Sequence, residues 1–133
     1  MASIDDCKII ELNKVGSDKG SLAYTESEHS TPFDIKRVYY TYDIPTAAER
    51  GGHAHKEQHE LVFAASGSFE VVLDDGKKKK TVFLNNPGKG LHIIPGIWRE
   101  LKSFSTASVV LVMASDVFLD SDYIKDYKLF VND

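Results

Sequence analysis

Through most of the chain, apolar and β-branched residues recur at every second position, between short clusters of Gly, Pro, Asn and Asp. That period of two predicts strands rather than helices. The stretch "IKRVYYTYDIP" (35–45) predicts an aromatic-rich strand closed by Pro45. "HELVFAASGSFEVVLDDGKKKKTVFL" (59–84) predicts three strands, with a break at Ser66-Gly67, a turn at Asp75-Gly76 and the third strand at about 80–84. "NNPGKG" (85–90) reads as a turn, "LHIIPG" (91–96) as a short strand ended by Pro95, and "SVVLVMAS" (108–115) as a buried strand. Only the tail, "DSDYIKDYKLF" from Asp120, predicts a helical turn or two.

Many short antiparallel strands with frequent turns predict an all-β sandwich or barrel. No repeat, low-complexity segment or linker divides the pattern, so residues 1–133 are expected to form a single domain. With 133 residues, 42% of them hydrophobic, the chain has enough apolar surface for a core. The formal net charge of -4 and pI of about 5.7 give no electrostatic reason to seek nucleic acid or membrane. The lysine run Lys77–Lys80 follows an Asp-Gly turn and reads as a solvated hairpin that discourages edge pairing. Val109 to Ala114, the longest aliphatic stretch, is far too short to cross a bilayer. Cys7, the only cysteine, has no intramolecular partner, and "MASIDDCKIIEL" lacks signal-peptide character. A cytoplasmic protein is expected.

The chemistry concentrates in "ERGGHAHKEQHE" (49–60), directly before an apolar strand. His53 and His55 are two apart, so on extended backbone they share a face while Ala54 points away. The spacing HxH(x)4E(x)6G, running from His53 through Glu60 to Gly67, resembles the first motif of the cupin superfamily. That resemblance implies a small jelly-roll barrel (a double-stranded β-helix) with a polar site in its mouth and, here, a short C-terminal helical turn. The second cupin motif is met at Gly90 to Arg99, where Pro95-Gly96-Ile97-Trp98 leads to Arg99 in place of the usual ligand histidine.

Arginine stays protonated, offers no lone pair and opposes a neighbouring divalent cation. His53, His55 and Glu60 still leave an open three-ligand site conceivable, and His92 faces either way on its strand. Without a metal, two imidazoles facing a cavity suit proton transfer near neutral pH. The three arginines, Arg37, Arg50 and Arg99, lie on or beside the motif strands, and their forks suit phosphate oxygens.

The ordered segments "DKGSL", "FDIKRVYYTYDIP", "RGGHAHKEQHELVFAASGSFEVVLDDG", "GLHIIPGIWREL" and "DYIKDY" resemble the sugar 3,4-ketoisomerases over nearly the whole chain. The resemblance implies an enzyme acting on dTDP-4-keto-6-deoxyglucose without metal or other cofactor. It implies a homodimer, with strands exchanged between subunits in many members. It implies an enediol isomerisation on the way to a 3-amino-3,6-dideoxy sugar of surface glycans. Carried onto this chain, it makes His53, His55 and Tyr39 catalytic, with His55 expected as the carbon base. Arg37, Arg50, Lys56, Trp98, Arg99 and Lys19 are then expected to bind substrate. The family more often has an amide where Glu60 stands. A metal-dependent cupin enzyme and a non-catalytic sugar-nucleotide-binding module are the competing expectations.

Overall fold

In the computed structural model, residues 2–26 and 31–132 are described. The strands are β1 (Ile9–Glu11), β2 (Asn13–Ser17), β3 (Gly20–Tyr24), β4 (Arg37–Thr41), β5 (Arg50–His55) and β6 (Glu60–Ser66). They continue with β7 (Phe69–Asp74), β8 (Lys79–Leu84), β9 (Lys89–Ile93), β10 (Trp98–Lys102), β11 (Val109–Ala114) and β12 (Tyr123–Ile124). Helix α1 (Tyr127–Val131) closes the described chain, and 3-10 turns stand at Ile4–Asp6 and Asp120–Asp122.

Two antiparallel sheets, in the orders β1-β9-β6-β11-β4 and β12-β5-β10-β7-β8, face each other as a jelly roll. The core between them includes Val62, Ala64, Phe69, Val71, Leu73, Leu91, Ile93, Ile97, Val110 and Val112. Alternation explains most of this. Along β4, Arg37, Tyr39 and Thr41 are partly buried while Val38 and Tyr40 are exposed. Strand β6 reads as a continuous apolar run because both its faces are covered. Val62 and Ala64 enter the main core, while Leu61 and Phe63 pack with Leu12, Ile10, Phe33, Leu111 and Met113 in a second cluster.

The aromatic strand is shorter than the alternation predicts, since Asp43 adopts φ 56 and turns the chain before Pro45. The tail forms a 3-10 turn, a two-residue strand and only then a helix, whose N-cap Asp126 accepts from the Lys128 N–H. The hairpin of β2 and β3 pairs with no other strand and is exposed along its whole length.

One irregularity positions the site. Strand β10 pairs Arg99 with His53 but Glu100 with Gly51, so Gly52 is an extra residue in β5. Gly51 and Gly52 have φ of 81 and 70, a conformation that costs glycine little, and a Cβ on Gly51 would stand 2.9 Å from the Arg99 carbonyl oxygen. The resulting bulge shifts the β5–β10 register beside His53.

Candidate active site

A cavity of about 110 Å³ opens between the sheets, lined by Tyr39, Arg50, His53, Glu60 and Arg99 over a floor that includes Val62 and Val112. Five strands meet there. Strand β4 supplies Tyr39, β5 His53 with His55 buried behind it, β6 Glu60, β10 Arg99, and β11 part of the apolar floor.

Glu60 is the hub. Its Oε1 accepts from Arg99 Nη1 at 2.5 Å, and its Oε2 accepts from the Tyr39 hydroxyl and from Gln58 Nε2, each at 2.8 Å. Burial alone would raise this carboxyl, but the Arg99 guanidinium and the neighbouring imidazoles overcome it and hold Glu60 below the usual carboxylate range. Burial, the Glu60 charge and the bond to Glu60 together push the Tyr39 hydroxyl well above its ordinary value. Its proton stays on the oxygen.

The imidazoles of His53 and His55 meet edge to face with centroids 4.9 Å apart, and Tyr123 packs on both, at 5.0 and 4.4 Å. Burial first, then the Arg99 charge, pushes both rings down from 6.5, His53 to about 4. Both are therefore neutral near pH 7, and the 3.6 Å approach of His55 Nε2 to Glu60 Oε2 is neither an ion pair nor a hydrogen bond. The Nε2 atoms of both histidines are buried without a hydrogen-bond partner. His53 makes a backbone hydrogen bond to Gly51, and His55 Nδ1 lies 3.0 Å from Asp122 Oδ2.

Ligand atoms of His53, His55 and Glu60 lie within 4.8 Å of one another. The set nevertheless does not fit a divalent cation. Its one carboxylate is already neutralised by Arg99, and a guanidinium buried in the same cluster repels a second cation.

The other expected contacts divide. Arg50 is exposed on the cavity rim. Arg37 stands behind the lining, with Nη2 donating to Gln58 Oε1 at 3.3 Å and its guanidinium over the Tyr39 ring at 5.0 Å. Trp98 does not enter the cavity. Strand alternation puts it on the face opposite Arg99, where it is 5% exposed under α1 against Tyr127 and Phe130, its Nε1 donating to Glu100. Lys56 is exposed past the end of β5 and lines a different depression, with Tyr123 and Lys125. Lys19 sits in the turn of the isolated β2–β3 hairpin and does not line the cavity. Within a single chain, then, Trp98, Lys56 and Lys19 are not brought to the site.

His92 is drawn off as well. On the outer side of the sheet its Nε2 lies 2.9 Å from His59 Nδ1, beside Phe33. Conversely, the motifs alone did not single out Gln58, Tyr123 or Asp122. Asp122 had only the resemblance of "DYIKDY" to mark it, since its partner is 67 residues away.

A two-sheet antiparallel barrel with paired neutral imidazoles, and an arginine where a metal ligand would be, defines a cupin-type acid–base site. The chain belongs to the family described as "FdtA: WxcM-like, C-terminal", whose model matches residues 5–133. It is 39% identical to a TDP-4-oxo-6-deoxy-alpha-D-glucose-3,4-oxoisomerase of Aneurinibacillus thermoaerophilus, over 92% of this chain and 88% of that protein. The structure is similar to a 3,4-ketoisomerase from Helicobacter canadensis, with TM-score 0.92, 41% identity and 96% of each chain covered. It is also similar to a histidine-to-asparagine variant of a 3,4-ketoisomerase from Thermoanaerobacterium thermosaccharolyticum in complex with TDP-4-keto-6-deoxyglucose. That match has TM-score 0.93 and 33% identity, covering 96% of this chain and 92% of the other.

Proposed function

We propose that this protein is a nucleotide-sugar 3,4-ketoisomerase that converts dTDP-4-keto-6-deoxyglucose into its 3-keto isomer by enediol chemistry, with no metal taking part. The observation that carries the reading is the pair of neutral imidazoles with unpartnered Nε2 atoms beside the Glu60–Arg99 pair. They occur in a chain whose relatives carry out this reaction.

The ketone at carbon 4 acidifies the proton on carbon 3. A neutral histidine removes that proton, and the electron pair forms the enolate with its charge on the carbon 4 oxygen. The proton of the carbon 3 hydroxyl passes to the carbon 4 oxygen, a proton is delivered to carbon 4, and the ketone closes at carbon 3. No electron leaves the substrate and no co-reactant is needed.

His53 lines the cavity, whereas His55 is fully buried behind it. This favours His53 as the carbon base and His55 as the group that moves the oxygen-side proton, the reverse of the order expected from the sequence. Arg99 and Tyr39 supply donors for the enolate oxygen. Arg99 has an unpartnered Nε–H in addition to its bonds to Glu60 and Ile97. Losing one such donor costs about 3 kcal/mol of transition-state stabilisation. Arg50 on the rim is placed to meet the pyrophosphate, with Arg37 bracing Tyr39 and Gln58 behind.

We further propose a cytoplasmic homodimer with exchanged strands. The β2–β3 hairpin exposes Val15, Leu22 and Tyr24, and β4 is a sheet edge exposing Val38 and Tyr40. A second copy supplies cover for both, and brings its Lys19 toward a neighbour's cavity. No described helix is long and apolar enough to cross a membrane.

The test is proton NMR of freshly made dTDP-4-keto-6-deoxyglucose in deuterated buffer with chelator-treated protein. A 3-keto product deuterated at carbon 4 supports the reading. Unchanged substrate with folded, TDP-binding protein overturns it.

A further inference from the structure

Asp122 closes the 3-10 turn Asp120–Asp122 and reaches back to the strand that carries both histidines. Its Oδ2 lies 3.0 Å from His55 Nδ1, its Oδ1 accepts the Glu57 N–H at 2.8 Å, and Oδ2 also accepts the Gln58 N–H at 3.3 Å. Its carbonyl oxygen accepts the Lys56 N–H at 2.9 Å, and the next residue, Tyr123, pairs with His55 in the β12–β5 ladder. One residue of the tail thus grips the turn between β5 and β6, which has His55 at one end and Glu60 at the other. The Asp122 side chain is 13% exposed, so solvent screens its bond to His55 little.

An ionised carboxylate only accepts hydrogen bonds. Facing Asp122, His55 Nδ1 must carry the ring hydrogen, which leaves the lone pair on Nε2. That Nε2 is buried, lacks a hydrogen-bond partner and stands 3.6 Å from Glu60 Oε2. The opposite tautomer would set a lone pair against the Asp122 carboxylate. It would also place a hydrogen on the atom that has to receive one.

We infer that Asp122 is a positioning residue for the isomerisation, holding His55 as the Nδ1–H tautomer with Nε2 ready to accept a proton. The inference rests on the ketoisomerase reading and deepens it. Nε2 takes the substrate hydroxyl proton and returns it to the other oxygen, while Asp122 remains a carboxylate and steadies the imidazolium formed between the two transfers. The groups facing His55 are His53 on its own strand, Glu60 of β6, Arg99 of β10, and Asp122 and Tyr123 of the tail. Burial first, then the Arg99 charge, disfavours the imidazolium. Glu60 and Asp122 offset part of that.

Asp122→Asn separates this role from simple capping. Its amide oxygen still accepts the Glu57 N–H, but its NH2 offers a hydrogen to Nδ1, moves the ring proton to Nε2 and leaves the long Gln58 N–H bond without an acceptor. The variant is expected to lose only a few degrees of Tm, to keep its TDP affinity, and to lose kcat by about 100-fold or more with KM changed only a few-fold. Nitrogen-15 NMR of the imidazoles near pH 7 is expected to show His55 protonated on Nδ1 in the wild type and on Nε2 in the variant. A wild-type His55 protonated on Nε2 overturns the inference, and this measurement stands even if the variant fails to fold. A folded variant with kcat within a few-fold of the wild type also overturns it. Wild-type protein that leaves the sugar nucleotide unchanged overturns the ketoisomerase reading. Wild-type turnover with an unimpaired Asp122→Asn variant overturns only the role of Asp122.

Discussion

Glu60 and Arg99, 39 residues apart in sequence, form an ion pair inside the barrel with side chains 3% and 2% exposed. Arg99 stands on β10 and Glu60 opens β6, so the pair ties the two facing sheets together across the cavity. One buried charge accounts for the other. Together they turn a three-ligand geometry into a site with no net place for a cation.

Breaking that pair on one side is expected to cost far more than removing both halves. Arg99→Met leaves the Glu60 carboxylate buried with no counter-charge and should destabilise the fold by about 3–5 kcal/mol. The double variant Glu60→Gln/Arg99→Met should recover most of that, because an amide keeps partners in Tyr39 and Gln58 without a charge. Urea unfolding of the wild type, Glu60→Gln, Arg99→Met and the double variant gives the coupling directly. Additive losses would show that the two groups do not depend on one another.

The two histidines should fail differently. With His53→Asn, recovered substrate should take up no deuterium at carbon 3, since no base reaches that proton. His55→Asn should still exchange carbon 3 while product formation falls by about 100-fold or more. Proton NMR in deuterated buffer reads both outcomes. Exchange that survives His53→Asn and vanishes with His55→Asn would restore the order expected from the sequence.

Activity should persist on the acid side of the ordinary imidazole range. Burial and Arg99 lower His53 to about 4, so its base form is present well below pH 6.5 and the acid limb of kcat/KM should be centred toward that lower value. Stability moves with the opposite emphasis. The unfolded chain binds protons at 6.5 where folded His53 and His92, both lowered to about 4, do not, so stability should fall as pH drops from about 6.5 to about 4. A thermal-melt series in matched buffers checks the second claim. A kinetic limb at 6.5 or above would contradict the burial of His53.

Much of this was legible in the sequence wherever a residue's neighbours along the strand determine its surroundings. Alternation grouped Arg37 with Tyr39 on one face and Val38 with Tyr40 on the other, and the structure shows that the first pair is the partly buried one. The HxH spacing put His53 and His55 together because extended backbone repeats every second residue. Trp98 illustrates the ambiguity that remains: the same rule places it opposite Arg99, but which of the two faces inward depends on the β10 pairings. Asp122 could not be read from spacing at all, since its contact depends on how the tail folds back. The strands β2 and β3 were also silent, because a segment exposed on both faces has no hydrophobic alternation to reveal it.

That exposed hairpin supports the last prediction. Two paired strands with no third neighbour are at best marginally stable in water, and β2–β3 exposes Val15 by 61% and Leu22 by 58%. Apolar surface of this kind in an ordered hairpin calls for cover, and the free edge of β4 with Val38 and Tyr40 calls for the same. Exchange of the hairpin between two copies meets both needs at once. Val15→Asp/Leu22→Asp should therefore shift the protein from dimer to monomer in light scattering, at micromolar concentrations where the wild type stays paired. Lys19→Ala should leave the dimer intact and raise KM for the sugar nucleotide, the outcome expected of a lysine that the proposed exchange would carry to a neighbouring copy's cavity. A monomeric wild type with full activity would remove the exchange, and would leave the hairpin without a partner.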